Sequence, residues 1–172
     1  MVLSNQDIKA EIKRGRLKFF PKLSEDQIGP SSVDLTLSGT FWVFKGKYLG
    51  KTVDLSKVGF QQAIQKHKGN CITLAPGQMC LGVTKERISM PNDLIGTLEG
   101  RSRYARMGLA VHVTSALVHP GSNNRQVLEI VNFAPFAVTI KEGMRISQVV
   151  FERLETPTSM PYSKYGKVAR KQ

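Results

Sequence analysis

The sequence predicts a mostly-β protein, a sandwich or barrel of short strands behind one N-terminal helix. Two observations carry that reading. From residue 32 onward apolar and polar residues alternate, as in "SVDLTLSGTFWVF" (32–44), and side chains on a strand point to its two faces in turn. Short apolar pieces then recur at 71–91, 94–100, 109–119, 126–133 and 137–154, parted by the turn signals "PND", "HPGSNN", "APF" and "KEG". Many short strands at this spacing belong to sandwiches and barrels.

The elements follow in order. "SNQDIKAEIKRGRL" (4–17) reads as a helix capped by Ser4 or Asn5, with Ile8, Ile12 and Leu17 as a narrow apolar stripe. Gly15 stands where the helix stops. "KFFPKLSEDQIGPSS" is irregular, with Phe19 and Phe20 packing and Pro21 and Pro30 as punctuation. In 32–44, Val33, Leu35 and Leu37 share one face, Asp34, Thr36 and Ser38 the other, and Gly39 marks a turn or bulge. Phe41 and Trp42 read as core. Residues 45–70 read as an insertion or long loop. "CITLAPGQMCLGVTKERISMP" reads as strand, Pro-Gly turn, strand. The tail, 155–172, is basic, polar and Pro-containing, and is expected to be mobile.

The 172 residues suit one domain with a sizeable core. No apolar run is long enough to span a bilayer. The start, "MVLSNQDIKAEIKRG", lacks a signal-peptide core, so a cytoplasmic protein is expected. Cys71 and Cys80 are too few for a disulfide framework and too far apart for CxxC. His67, His112 and His119 form no HExxH, so no zinc site is expected. There is neither a phosphate loop of the G-x-x-x-x-G-K-[ST] type nor a G-x-G-x-x-G after a strand. The formal net charge of +12 favours polyanionic partners without choosing among nucleic acid, anionic membrane and nucleotide phosphates. The chain has no run of interleaved aromatics for stacking single strands, which argues against nucleic acid.

Two stretches carry chemistry. In "QVLEIVNF" (126–133) Glu129 shares a strand face with Val127 and Val131, while Leu128, Ile130 and Asn132 take the other. A carboxylate there is exposed on an edge, paired with a base, or held in a pocket for work. In "LEGRSRYARMGLAVHVTS" (98–115) Arg101, Arg103 and Arg106 surround Ser102. Arginine forks match phosphate oxygens, although a solvated basic turn would look the same.

The larger pattern resembles the deoxycytidine triphosphate deaminase branch of the dUTPase-like family. It runs through "LSNQDIKAEIKRGRL", "QIGPSSVDLTLSGTFWVF", "LAPGQMCLGVTKERISMPNDLIGTLEGRSRYARMGLAVHVTS", "HPG", "VLEIVN" and "EGMRISQVVFERL", most of the chain outside 45–70. The resemblance implies a distorted, jelly-roll-like β-barrel (a β-clip) and a homotrimer with active sites between subunits. It implies hydrolytic deamination of dCTP, with Glu129 as proton shuttle and with Ser102 and Arg106 holding water and carboxylate. Val113, Thr114 and Ser115 would meet the cytosine ring. Arg101, Arg103, Lys164 and Tyr165 would meet the triphosphate, and Mg²⁺ would arrive on the nucleotide. A dUTPase, a bifunctional enzyme and a non-catalytic basic binding protein remain the alternatives.

The sequence departs from the family pattern at four places. His119 stands where an aspartate usually contacts the sugar, and an imidazole is no constant anion. Arg103 replaces the second serine of a Ser-Ser pair. "SNN" (122–124) replaces aromatic-Ser-Gly; asparagine tolerates a left-handed backbone, so the turn is expected to survive while an aromatic contact is lost. The tail lacks a Gln-Gly continuation after "KY".

Overall fold

In the computed structural model, which describes residues 1–165, a helix opens the chain and two sheets follow. Helix α1 is Asn5–Lys13, and the strands begin with β1 (Lys18–Phe20) and β2 (Ser32–Phe44). Next come α2 (Phe60–Ala63), β3 (Ile64–His67), β4 (Cys71–Leu74), β5 (Met79–Ser89) and β6 (Leu94–Gly100). After α3 (Ser102–Ala105) lie β7 (Leu109–Val111), β8 (Leu117–Val118), β9 (Asn123–Asn132), β10 (Val138–Lys141) and β11 (Arg145–Arg153). The large sheet runs β7-β9-β5-β2-β11-β6-β8, with β1 added to β5 and β3 to β2. The mostly-β reading holds.

Ser4, rather than Asn5, caps α1. The Asp7 amide donates to its hydroxyl, and the Ser4 amide donates back to the Asp7 carboxylate, so two N–H groups at the helix end are satisfied. Ile8 and Leu17 are wholly buried, as the apolar stripe predicts. Glu11 is buried as well, at 1% exposure. Its carboxylate pairs with Arg16 at 2.6 Å and Arg153 at 3.0 Å. The same two arginines hold Asp93 at 2.6 and 3.2 Å. This cluster ties α1 to β11 and to the turn before β6, and Leu3 adds a backbone bond to Phe151.

In β2, Val33, Leu35 and Leu37 are wholly buried and Phe41 joins them, while Trp42 is only half-buried. The pairing of β2 with β5 slips between Leu37 and Phe41. Gly39 sits in that slip, and a Cβ there would stand 2.7 Å from a Glu142 carboxylate oxygen. Of the two phenylalanines before Pro21, only Phe19 packs, edge-on to Phe151 at 6.2 Å. Strand alternation sends Phe20 outward. Residues 45–70 hold a 3-10 turn at Gly46–Tyr48, then α2 and β3, and β3 returns along the second half of β2.

The Pro-Gly turn does not close a hairpin: β4 pairs with β10 in a separate two-stranded sheet. The stretch 109–119 is not one strand either. It breaks after Val111, where His112 takes a φ of +64°. The tail lies along the body up to Tyr165. The amides of Leu154, Thr158 and Tyr162 donate to the carbonyls of Asp93, Asn92 and Pro120. The rest of the tail expected to be mobile, 166–172, lies outside the described residues. Among the described residues no helix is long and apolar enough to cross a membrane.

The Glu11 cluster makes the fold acid-sensitive. Burial pushes the Glu11 carboxyl up, but hydrogen bonds from Arg16 and Arg153 outweigh it and hold the group below its ordinary value of 4.5. A depressed carboxyl stabilises the fold above that value, and the contribution is lost as pH falls below it. Denaturant midpoints should therefore drop on acidification below about pH 4.5, more steeply in the wild type than in Glu11→Gln. At neutral pH Glu11→Gln should cost about 2 kcal/mol, less than a fully buried pair because both arginines reach solvent.

Candidate active site

The two faces of β9 separate as the alternation requires. Leu128, Ile130 and Asn132 are wholly buried, while Glu129 stands with Val127 and Val131 on a half-open face, opposite Leu81 of β5. Its carboxylate is held from the loop after β7. The Thr114 hydroxyl donates to Oε2 at 2.5 Å and the Thr114 amide at 3.1 Å. Both bonds fall on Oε2. Glu129 is thus neither an edge residue in open water nor, among the described residues, half of an ion pair.

His112 builds that loop. Its amide donates to the Glu129 carbonyl at 2.7 Å, the last rung before the chain turns away. Its Nε2 lies against the Ser115 carbonyl, so Nε2 carries the hydrogen. Nδ1 is buried without a partner among the described residues. A left-handed backbone costs a non-glycine residue about 1–2 kcal/mol, and such strain gathers where the surrounding structure has a use for it. Here it turns Val113, Thr114 and Ser115 back over the Glu129 side chain. All three are exposed, so the resemblance-derived ring contacts and Glu129 do come together.

Glu129 opens into a cleft of about 260 Å³ lined also by His112, Ser115, His119, Gln126 and Tyr162. His119 stacks on Tyr162, ring centroids 5.1 Å apart and planes 11° from parallel. Tyr162, not Lys164 or Tyr165, is the tail residue that lines the cleft. Nothing local marks it, because its place is set by the backbone bond to Pro120. Gly121 permits the docking: its φ is +73°, and a Cβ on it would stand 2.4 Å from the Pro161 Cβ. The turn survives through this glycine rather than through asparagine tolerating a left-handed backbone: Asn123 and Asn124 are the first residues of β9, and among the described residues His112 is the non-glycine residue with positive φ. Ser122, 3% exposed, lines the cleft with a buried hydroxyl that has no partner among the described residues.

The basic turn stands apart from this cleft. Ser102 opens α3 and Arg106 caps it; both are exposed, and neither lines the cleft nor bonds Glu129. Arg101 pairs with Asp34 at 3.0 Å and donates to the Arg145 carbonyl at 3.3 Å. Burial pushes the Asp34 carboxyl up against the pull of Arg101. Arg103 lies over the Tyr104 ring at 5.7 Å. Lys164 and Tyr165, at the end of the described tail, are exposed beyond Tyr162. Among the described residues no group of three or more His, Cys, Asp or Glu gathers as metal ligands. Cys80, opposite Ile130, is buried, and burial pushes its thiol up to about 12, which leaves no thiolate at neutral pH. What the cleft offers chemically is one anchored carboxylate, a ring of hydroxyl and amide groups, and an aromatic wall.

Comparison with known proteins bears on that arrangement. The family model for dCTP deaminase-like proteins matches residues 2–154. The chain is 39% identical to the dCTP deaminase of Rhodospirillum rubrum, over 95% of this chain and 88% of that protein. It is 34% identical to the dUMP-forming dCTP deaminase of Methanobrevibacter smithii, over 94% of this chain and 84% of that one. Among solved structures, the 2'-deoxycytidine 5'-triphosphate deaminase of Agrobacterium tumefaciens superposes with a TM-score of 0.69 at 21% identity. That match covers 89% of this chain but 48% of the longer one, and it speaks for the fold. The matched segment contains the whole of β9, the basic turn and the strained loop between them, and the chain belongs to the dCTP deaminase-like family.

Proposed function

We propose that the protein hydrolyses dCTP to dUTP and ammonia, in the cytoplasm, with the nucleotide carrying Mg²⁺ on its phosphates. One observation supports this above the others: a carboxylate stands in a cleft with one oxygen anchored to Thr114 and the other accepting no bond among the described residues. Deamination needs a water to attack C4, a proton on N3, and a second proton on the departing amine. Glu129 takes one proton from the attacking water and gives it to N3, then takes the second from the resulting C4 hydroxyl and gives it to the amine, returning to carboxylate as the carbonyl forms and ammonia leaves. The exposed Val113–Ser115 loop meets the edge of the ring.

Ser102 and Arg106 come from a neighbouring copy in a homotrimer. Two features support that division. Both side chains are exposed and lie off the cleft of their own chain. The cleft, at about 260 Å³, also lies just under the low end of the ~300–1,000 Å³ usual for ligand sites, which suits a site completed by a second wall. Arg101, Arg103, Lys164 and Tyr165 then face the triphosphate. Relatives include deaminases that form dUMP. His119 speaks for dUTP as the product here, because its ring is stacked on Tyr162 and supplies no constant anion to activate water against phosphorus.

Purified protein given dCTP and Mg²⁺ should release ammonia and dUTP in equal amounts, with no pyrophosphate. Glu129→Gln should lower kcat on the order of 10³-fold with an unchanged melting temperature; undiminished turnover in that variant refutes the assignment. Thr114→Val keeps the amide bond and removes the hydroxyl one. It should lower kcat about tenfold, as expected for one hydrogen bond to a charged group, and leave KM near its wild-type value. A salt-dependent gel shift with no nucleotide turned over would instead place the protein among nucleic-acid binders.

A further inference from the structure

Two arginines face each other across β5 and β9 with no acid between them. Arg87 and Arg125 are direct partners in the strand register, and directly opposite residues share a face with their side chains in reach of one another. Both are exposed, and neither has an ion-pair partner among the described residues. Arg14, Arg16, Arg101, Arg145 and Arg153 each pair with an acid. Like charges set opposite one another destabilise a sheet. This pair is relieved when an anion lies across it.

The register around the pair is irregular. Val83 faces Val127, yet Arg87 faces Arg125, so β5 spends four residues where β9 spends two. A bulge of this kind re-aims side chains. It is held from inside: the Gln126 amide donates to the Thr84 hydroxyl at 2.9 Å, and that hydroxyl donates to the Glu86 carbonyl at 2.8 Å. The arginines are therefore carried on a built backbone feature.

Arg125 lines the same cleft as Glu129, and so does Ser122 with its unpartnered hydroxyl. Arg125 and Glu129 lie on one face of β9, four residues and about 13 Å apart at the rise of an extended strand. A nucleotide with its exocyclic amine at Glu129 spans that interval with its sugar and phosphates.

We propose that Arg125, backed by Arg87, binds the polyphosphate tail of the nucleotide whose base lies at Glu129. The chain that carries the carboxylate then also holds phosphate, independently of the basic turn at 101–106. The assignment of the base end rests on the deaminase reading above; the anion site rests on the arginine pair.

The test uses the full chain and two probes. For Arg125→Gln and Arg87→Gln, calorimetric binding of inorganic tripolyphosphate should weaken about tenfold, the loss of a charge-assisted hydrogen bond. The KM for dCTP should rise by a similar factor with kcat kept, and inhibition by deoxycytidine, which has no phosphate, should not change. Lys51→Gln, the same charge change elsewhere on the surface, should alter none of these. Melting temperatures of the arginine variants should equal or exceed that of the wild type, since a repulsion is removed. Both arginine variants binding tripolyphosphate as the wild type does would overturn the proposal. So would a lost affinity for duplex DNA with tripolyphosphate binding intact. A wild type that turns over no dCTP would refute the deaminase reading alone, because tripolyphosphate binding still decides the anion site.

Discussion

The double pairing of β9 is the constraint on which the site depends. β5 hydrogen-bonds one side of it and β7 the other. A strand gripped on both edges cannot slip, and a slip of one residue would turn every side chain to the opposite face. Glu129 would then enter the core in place of Leu128 or Ile130, at several kcal/mol for an unpaired buried charge. The apolar neighbours of Glu129 thus hold the carboxylate at the boundary of the core, where a nucleotide can reach it and bulk water cannot surround it.

The loop after β7 turns that position into a site. A fourth strand residue at 112 would carry the chain straight on, away from Glu129. The left-handed His112 reverses it instead, and two bonds secure the reversal: its amide to the Glu129 carbonyl, and its ring to the Ser115 carbonyl. Thr114 then meets the Glu129 carboxylate with both amide and hydroxyl. Backbone and side chain of Glu129 are therefore held by the same few residues. Strain at His112 is offset only while Glu129 keeps its place, so loop and carboxylate form one unit.

The faces of strands were legible in the residues, and their partners were not. Alternation in 32–44 and 126–133 identified the buried sides of β2 and β9, because burial follows a period of two whatever the neighbours are. It could not say that β4 leaves β5 for β10, since pairing is decided by residues distant in sequence. The reversal at His112 was hidden because "LAVHVTSALVH" keeps an apolar rhythm through the turn. Glu11 sat unnoticed in the helix stripe, since its partners Arg16 and Arg153 are brought to it by the fold and lie on both sides of the β domain in sequence. Tyr162 was equally hidden, and needed Gly121 to let Pro161 approach. For the groups proposed to react, residue type was readable at Glu129 and Ser102, but not their separation within one chain.

That separation bears on the arginines. A net charge of +12 could be spread as a general attraction for anions, yet the pairing pattern sorts it. Arg16 and Arg153 are committed to Glu11 and Asp93 and serve the fold. Arg101 is tied to Asp34, whose burial raises the cost of leaving that carboxylate alone, so drawing Arg101 toward phosphate would strand an acid. Arg87 and Arg125 have no such obligation; they gain a partner when an anion arrives and lose none. On the proposed reading, the arginine nearest the serine in sequence is thus poorly placed to be the main phosphate contact of its own chain. The pair on β5 and β9 is better placed, because Arg125 lines the cleft of Glu129 and both members bind an anion without first giving up an acid.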